Sequence, residues 1–322
     1  MTSAINADFD EKLVPFRREL EIYCYRMTGS LHDAEDLTQD VLLRAWRARD
    51  SYDQRRASLR TWLYRIATNV CLTALESRAR RPLPSGLGAA SQDPDAPLVP
   101  DLDVPWLQPL PDPGGQDPLD PASHATRSAG VRLAFVAAVQ LLPPRQRAVL
   151  VLREVLAFSA AEVAAQLGTS TAAVNSALQR ARTALTAAAP QQDLLREPDD
   201  DTVRRTVRRY IRAFENADVP SLVALLTEDA VLEMPPVPLW YAGRRDYGRF
   251  IERVFVLRGV GWRMLPVSAN GQPGVAAYCP GEKGALRLHT VQILTVTAAG
   301  ISHNVVFQDP WVLAKFGLAA VL

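Results

Sequence analysis

Cysteine is scarce in this sequence, and clusters of metal-binding residues are missing from it. The 322 residues include only three cysteines, Cys24, Cys71 and Cys279, which lie far apart and form no CxxC pair. This spacing indicates free, mostly buried thiols and argues against a disulfide framework. No metal-ligand spacing is present either, so we expect neither a metal nor a cofactor.

Membrane and export signals are also missing. No apolar run approaches the roughly 18 residues that a membrane helix needs. The start of the chain, residues 1–10, is polar and acidic and lacks the basic segment and apolar core of a signal peptide. The sequence therefore predicts a cytoplasmic protein with no membrane partner.

A net charge is almost absent, because 36 Lys and Arg face 35 Asp and Glu and leave only +1. This balance does not exclude a nucleic-acid partner, since the local field depends on where the charges lie. Residues 44–82 contain ten Arg against Asp50, Asp53 and Glu76, a local excess of about seven positive charges. The composition thus favours a basic surface on one part of the chain.

Proline is concentrated in residues 81–127, which hold eleven of the 24 prolines and seven aspartates. Proline removes backbone donors and blocks helix interiors, so this stretch is predicted to be an extended acidic linker. Trp106 lies in a short apolar island within it and is expected to dock on a neighbouring surface. The expected boundaries are 8–80, linker 81–127, 128–190 and 200–322.

The segments on either side of the linker have different patterns. Apolar residues recur at three- and four-residue spacing in 8–80 and 128–190, which predicts two all-α domains. Residues 200–322 begin with a helical pattern and continue with strand-like segments at 230–234, 274–278, 286–297 and 301–307. The expected architecture is therefore multidomain, with two all-α domains followed by an α+β domain.

The helix predicted around residue 40 has an acidic side. Asp33, Asp36 and Asp40 share one helical face, and Glu35 and Gln39 form a neighbouring row. An acidic, hydrogen-bonding face suits a basic protein partner better than DNA. An ordinary solvated surface is the alternative.

The basic segment that follows contains interleaved aromatic residues, Tyr52, Trp62 and Tyr64. Basic charge neutralises phosphates, and aromatic rings stack on unpaired bases. Asn69 carries an amide that can both donate to and accept from a base edge. Trp62 has a second interpretation, because a Trp at helical spacing is often a core residue.

Residues 33–46 (DAEDLTQDVLLRAW) and 59–69 (LRTWLYRIATN) resemble conserved region 2 of the extracytoplasmic-function (ECF) sigma-70 family of RNA polymerase sigma factors. In that family the acidic helix docks on the β′ clamp helices of core RNA polymerase, and the next segment opens the −10 promoter element. By position, the resemblance implies polymerase binding by Asp33, Glu35, Asp36, Gln39, Asp40 and Trp46, and −10 DNA binding by Arg60, Trp62, Arg65 and Asn69.

A helix-turn-helix is predicted in residues 159–188. Ser159 and Glu162 form an S-x-x-E capping box, Gly168 ends the short helix and Ser170 can cap the next one. A three-helix bundle with solvated polar faces is the alternative. In a helix-turn-helix the second helix is the recognition helix. It enters the major groove of DNA, with polar side chains at base edges and arginines at phosphates.

The sequence of residues 142–182 resembles conserved region 4 of sigma factors. Region 4 recognises the −35 promoter element and is expected to bind the β flap of RNA polymerase. The similarity is carried by residues 142–150 (LPPRQRAVL), 158–164 (FSAAEVA) and 173–182 (AVNSALQRAR). The residues assigned to −35 DNA are Thr171, Asn175, Ser176, Gln179, Arg180 and Arg182.

Residues 200–322 resemble the SnoaL-like (NTF2-like) cone fold through 210–214 (YIRAF), 225–232 (LLTEDAVL) and 307–310 (FQDP). In that fold a helix pair and a curved sheet enclose a pocket, for which the candidate residues are Trp240, Tyr241, His289, His303 and Asp309. A structural role is the alternative for each His. Together with the linker stretch 106–112 (WLQPLPD), the tail is similar to that of the SigG-like group of ECF sigma factors.

The resemblances imply a non-enzymatic sigma factor that binds core RNA polymerase and promoter DNA and is regulated by its tail, with a small-molecule ligand as a subsidiary hypothesis. One alternative is a helix-turn-helix regulator that binds duplex DNA alone, against which the acidic helix and the aromatic-basic segment argue. Another is a SnoaL-like pocket enzyme or ligand sensor fused to a DNA-binding module.

Overall fold

The structure is a computed structural model that describes residues 9, 11–113, 132–188, 199–281 and 284–322. Residues 114–127 of the expected linker and 128–131 of the expected second helical domain lie outside the described part. The chain divides into two compact units, one from 1–81 and 134–190 and the other from 82–133 and 191–322. Within the described ranges, no helix combines the length and hydrophobicity needed to span a membrane.

The first half of unit one is a helical bundle of α1 (Arg17–Thr28), α2 (Leu31–Arg47) and α3 (Leu59–Leu75). Ser30 and Ser58 are the N-caps of α2 and α3, and each side chain accepts a backbone N–H in the first turn. In the core, the hydroxyls of Tyr23 and Thr68 are hydrogen-bonded at 2.8 Å. These contacts join α1 to α3 across the bundle.

The second half of unit one contains α4 (Leu133–Val139), α5 (Pro144–Leu150), α6 (Ala160–Leu167) and α7 (Thr171–Ala188). A π-helical turn, Val151–Val155, extends α5. Ser159 and Glu162 form both hydrogen bonds of the capping box, and Gly168 ends α6 in the left-handed conformation at φ 60°. The helix-turn-helix geometry expected from the sequence is therefore present.

The two helical halves pack on each other within this unit. The buried Arg147 guanidinium donates to the carbonyl oxygen of Met27 and, at 2.7 Å, to Oε1 of Gln140. Burial lowers the pKa of Arg147 to about 10, so the group stays cationic at neutral pH. The rings of Tyr64 and Phe158 also meet, with centroids 5.2 Å apart.

The second unit contains a six-stranded sheet with the order β2-β1-β6-β5-β4-β3. Its strands are β1 (Leu226–Met234), β2 (Val237–Ala242), β3 (Arg263–Ala269), β4 (Gln272–Pro280), β5 (Leu286–Thr297) and β6 (Gly300–Phe307). β1 pairs with β6 in parallel and the other pairs are antiparallel. The helices are α8 (Asp200–Glu215), α9 (Val219–Val223), α10 (Arg244–Arg258) and α11 (Pro310–Ala314).

Helices α8 and α10 pack against the sheet and share its hydrophobic core. Gly248 in α10 lies against Val223 of α9, where a Cβ would stand only 2.7 Å from a methyl carbon. Glycine at this position therefore permits the close approach of the two helices.

Within the second unit, residues 82–113 of the linker lie along the sheet. At the β2 edge, the backbone N–H of Ser91 donates to the carbonyl of Trp240 at 2.8 Å. At the β3 edge, Leu110 and Asn270 exchange two hydrogen bonds of 2.8 Å, and Asp112 donates to the carbonyl of Ser268. The linker thus covers backbone groups at both edges of the sheet, where strands otherwise lack partners.

Candidate promoter and polymerase interfaces and the C-terminal cavity

The acidic residues of α2 differ in environment. Asp36 and Gln39 are exposed and Asp40 is partly exposed, and Asp40 forms an ion pair with Arg44 at 2.9 Å. Asp33 is buried and pairs with Arg78 at 2.7 Å and Arg81 at 3.0 Å. The structure therefore places Asp33 inside unit one, while the rest of the acidic row lies at the surface.

Trp46 lies near the C-terminal end of α2, with 37% of its surface exposed. The guanidinium of Arg49 lies 4.3 Å from its ring centroid, a cation–π arrangement that fixes the orientation of the ring. A large exposed aromatic side chain beside the acidic row extends that row into a mixed polar and apolar surface.

The residues expected at the −10 element are divided between surface and core. Arg65 and Asn69 are exposed on α3, whereas Trp62 is 6% exposed and packs on Tyr52 with ring centroids 5.3 Å apart. Arg60 is held at 2.7 Å by Glu19. Arg65 and Asn69 are thus accessible to DNA. Trp62 is a core residue, which was the second of the two interpretations that the sequence allowed.

The recognition helix α7 has the expected two faces. Val174, Leu178 and Ala181 are buried. Every residue assigned to −35 DNA is exposed: Thr171, Asn175, Ser176, Gln179, Arg180 and Arg182. Arg182 additionally pairs with Glu154 at 2.6 Å, so its guanidinium is already oriented by a carboxylate.

A cavity of about 280 Å³ lies in the second unit between α8, α10 and the inner face of the sheet. Its walls are mainly apolar and include Phe214, Leu232, Met234, Phe250, Ile251 and Trp262. Two linker residues, Leu98 and Pro100, belong to the same wall. The cavity is therefore formed jointly by the C-terminal domain and the linker.

One part of the cavity wall is polar. The buried Asn304 amide donates to the hydroxyl of Tyr247 at 2.7 Å and to that of Tyr210 at 3.2 Å. Tyr210 donates to Oε1 of Gln292 at 2.7 Å. Burial raises the pKa values of both tyrosines, so this network is neutral at physiological pH.

Of the five pocket candidates, His289 lines the cavity. Burial, assisted by the nearby Arg258, lowers the pKa of His289 to about 4. The structure therefore places a neutral imidazole in this wall at pH 7.

The other four candidates have different contacts. His303 lies 2.7 Å from the buried carboxylate of Glu233, and Asp309 caps α11 by accepting from Trp311 N–H at 2.8 Å. Trp240 and Tyr241 donate to the linker carbonyls of residues 88 and 93. Among the described residues, no group of three or more His, Cys, Asp or Glu could hold a metal ion.

The most informative polar residues of the cavity, Thr290, Gln292 and Asn304, were not among the candidates. Gln292 and Asn304 interrupt strands of β-branched and apolar residues, in the stretches VQI and NVV. An inward-facing polar residue in such a strand is a signal that strand alternation could have provided.

Two helical halves, the second with an exposed recognition helix, and a domain with an internal cavity are the parts expected of a transcription initiation factor with a fused accessory domain. Residues 15–81 match the family described as Sigma-70 region 2, residues 132–185 match Sigma-70, region 4, and residues 207–304 match the SnoaL-like domain. The chain belongs to the ECF RNA polymerase sigma factors and carries a C-terminal SnoaL-like domain. These matches confirm the resemblances inferred from the sequence.

The ECF RNA polymerase sigma factor SigG of Mycobacterium tuberculosis is 50% identical over 314 residues, which are 97% of this chain and 84% of that protein. SigJ of the same species is 34% identical over 66% of this chain and 60% of its own length. A crystal structure of M. tuberculosis SigJ covers 99% of this chain and 100% of that one, with a TM-score of 0.65 and 23% identity. The structural match supports the fold.

Proposed function

We propose that the chain directs core RNA polymerase to a set of promoters and that its C-terminal domain regulates this activity through the linker. Family membership implies an initiation factor, and the chain itself then carries out no catalysis. Its place of action is the cytoplasm, where the polymerase is. Residues 8–80 bind the polymerase and the −10 element, and residues 128–190 bind the −35 element. Residues 81–127 link these two regions, and residues 200–322 regulate the activity of the chain.

Exposure supports the polymerase-binding part of the proposal. Asp36, Gln39, Asp40 and Trp46 form an accessible surface on one helix, whose acidic character suits the basic β′ clamp helices. Glu35, which is partly buried, adds to the charge of this surface, and Asp33 stabilises it from inside. The β flap is the expected partner of the second helical half.

DNA recognition is assigned to separate residues in each half. Arg65 and Asn69 contact the −10 element, and Arg60 and Trp62 support them from partly and fully buried positions. In α7, Thr171, Asn175, Ser176 and Gln179 face base edges while Arg180 and Arg182 hold phosphates.

The observation that carries the regulatory part is the binding of linker residues 82–113 along the C-terminal domain. This segment connects the −10 region to the −35 region in sequence, and it is held at both sheet edges. Arg253 of α10 anchors it by donating to the carbonyls of Pro94 at 2.6 Å and Ala96 at 2.8 Å. A domain that holds this connection controls how far the two regions can separate.

Run-off transcription with core polymerase tests both parts. The full chain should initiate from promoters selected out of a randomised library, and Arg253→Met should change that activity at least about threefold. Arg249→Met is the matched control, because Arg249 lies on the same helix but pairs only with Asp246 among the described contacts. No initiation by the full chain with a competent polymerase would contradict the sigma activity. Equal activity of both variants and the unaltered chain would contradict regulation through the linker.

The alternative of a pocket enzyme or ligand sensor receives support only for its sensing half. The pocket candidates Asp309 and His303, which an enzyme of this fold would need as acid or base, are engaged as a helix cap and as the hydrogen-bond partner of Glu233. The cavity, in contrast, suits a bound molecule, and a small-molecule ligand remains part of the proposal.

A further inference from the structure

The cavity of the C-terminal domain contains polar atoms whose hydrogen-bonding capacity is unused. Oδ1 of Asn304 and the hydroxyl of Thr290 are buried without a hydrogen-bond partner in the described part of the chain. Their residues are only 1% and 4% exposed, and both line the cavity. A buried polar atom without a partner is costly, and it points to a missing ligand group.

Oδ1 of Asn304 and the Thr290 hydroxyl require different hydrogen-bonding groups on a ligand. The Asn304 amide nitrogen is already committed to Tyr210, Tyr247 and Gln292, which orients Oδ1 as an acceptor. This oxygen requires a donor, such as a hydroxyl hydrogen. The Thr290 hydroxyl can donate or accept, and it lies on β5, next to the β6 strand that carries Asn304.

The rest of the wall limits the class of ligand. Aromatic and aliphatic side chains favour a flat apolar body. Arg258 lines the cavity and His289 is held neutral beside it, so a cation is disfavoured. A volume of about 280 Å³ is near the lower end of the roughly 300–1,000 Å³ of small-molecule pockets, which indicates a molecule of one to three rings.

The linker completes this wall. Leu98 and Pro100 contribute to it, and the neighbouring Asp101 N–H donates to the Pro236 carbonyl just before β2 at 2.9 Å. A molecule in the cavity therefore contacts the C-terminal domain and the segment that joins the two promoter-binding regions.

We infer that the cavity binds a small, largely apolar and non-cationic ring compound that carries a hydroxyl group, with the hydroxyl donating to Oδ1 of Asn304, and that linker residues 98–100 close over it. The occupied cavity holds the linker more firmly than the empty one. The inference rests on the proposed function only for its consequence in transcription, because binding and linker closure are measured without polymerase.

Binding is tested on the full chain with 2-naphthol and naphthalene as probes. Calorimetry or equilibrium dialysis measures the affinity for each probe. 2-Naphthol should bind more tightly by roughly fivefold, the effect of one net hydrogen bond. Val254→Phe, which fills the cavity, should abolish binding of both probes. Val256→Phe is the control on the same helix, since Val256 is 84% exposed and does not line the cavity. Equal affinity for the two probes, or equal binding by the two variants, would overturn the assignment.

The role of Asn304 is tested by Asn304→Leu. This variant should bind 2-naphthol and naphthalene with about equal affinity. If this variant does not fold, Thr290→Val serves instead, because it removes an unpartnered hydroxyl and should change the affinity for 1,5-dihydroxynaphthalene at least about twofold. Thr227→Val removes a similar unpartnered hydroxyl outside the cavity wall and should leave the affinity unchanged. Identical affinities for Thr290→Val and Thr227→Val would contradict a ligand contact on this part of the wall.

Closure of the linker is tested by hydrogen exchange. Saturating 2-naphthol should slow exchange in the peptide containing residues 98–101 by at least about threefold, and Leu98→Ala should remove most of this effect. Leu102→Ala is the control, because Leu102 is 82% exposed. Unchanged exchange in this peptide upon saturation would overturn the closure, whereas failure of promoter-dependent transcription would leave the binding result standing.

Discussion

Glu233 illustrates how one buried carboxylate joins the linker to the C-terminal domain. It is fully buried on β1, accepts the backbone N–H of Ser85 at 2.8 Å and lies 2.7 Å from the His303 ring. Burial by itself would raise the pKa of Glu233, but the hydrogen bonds with His303 and Ser85 outweigh it and hold that pKa below its ordinary value.

Glu233→Gln should lower the free energy of unfolding of the C-terminal unit by about 1–3 kcal/mol at pH 7. Because the native pKa is depressed, the carboxylate stabilises the fold above its unfolded pKa of about 4.3, and this contribution disappears as the pH falls through the native pKa. Urea unfolding at pH 7 and pH 3.5 measures the difference. Glu228→Gln on the same strand, where the side chain is 87% exposed, should change stability by less than about 0.5 kcal/mol. A similar effect of both substitutions would contradict the role assigned to Glu233.

The lowered pKa of His289 predicts a second pH dependence of the stability of the C-terminal unit, in a higher pH range than that of Glu233. Its pKa of about 4 lies below that of an unfolded histidine, about 6.5. The unfolded chain therefore binds the extra proton between these values, and the stability of the C-terminal unit should rise with pH from 4 to 6.5 and then level off. The rise due to His289 is at most about 3 kcal/mol. His289→Gln should flatten it in unfolding curves taken between pH 4.5 and 7.5, and an unaltered slope would exclude His289 as its source.

At the scale of elements, local sequence signals set most helix ends. Ser159 begins α6, and the left-handed Gly168 and the capping residue Ser170 define the turn between α6 and α7, as the sequence predicted. Strands β2 and β3 and helix α10 were not predicted. Pro238 and Pro266 lie in those strands, and proline is tolerated there because both strands are at sheet edges. An edge position is a property of the sheet order and is not visible in the strand itself.

The recognition helix provides a prediction at this scale. Asn175→Ala and Gln179→Ala should each weaken binding to −35 DNA by about 1–3 kcal/mol without lowering the thermal stability, because both side chains are exposed. Fluorescence anisotropy with duplexes that vary at single −35 positions measures the loss. The exposed Thr186→Ala, near the other end of α7, should bind like the unaltered chain. A uniform loss at all duplexes would instead indicate phosphate contacts.

At the scale of the whole molecule, the linker is bound to the C-terminal unit along much of its described length. In the described linker residues 82–113 there is no α-helix and no strand of the sheet, in line with the proline content. Trp106 is 9% exposed, and its indole N–H donates to the Asp101 carbonyl within the linker at 2.7 Å. The sequence did not indicate that the linker pairs with both sheet edges.

Asn270 is the anchor through which this binding can be weakened selectively. It has a positive φ of 58°, and its Oδ1 accepts the Leu110 N–H at 2.8 Å. Asn270→Gly keeps the backbone conformation but removes this bond, so hydrogen exchange of Leu110 should accelerate by about tenfold. Ala217→Gly is the control, since Ala217 also has a positive φ, 51°, and makes no described contact with the linker. Unchanged exchange at Leu110 would show that the linker is held elsewhere.

The sequence by itself determined the helices of the first unit, the helix-turn-helix and the α+β character of the tail. These features follow from local periodicity, capping residues and β-branched runs, which act over a few residues. Only the tertiary structure decided that Asp33 and Trp62 are buried, that His289 alone of the five pocket candidates lines the cavity, and that Leu98 reaches its wall. Those outcomes depend on which distant segments meet, and residues 98 and 304 come together only when the sheet order is set and the linker is bound to its edges.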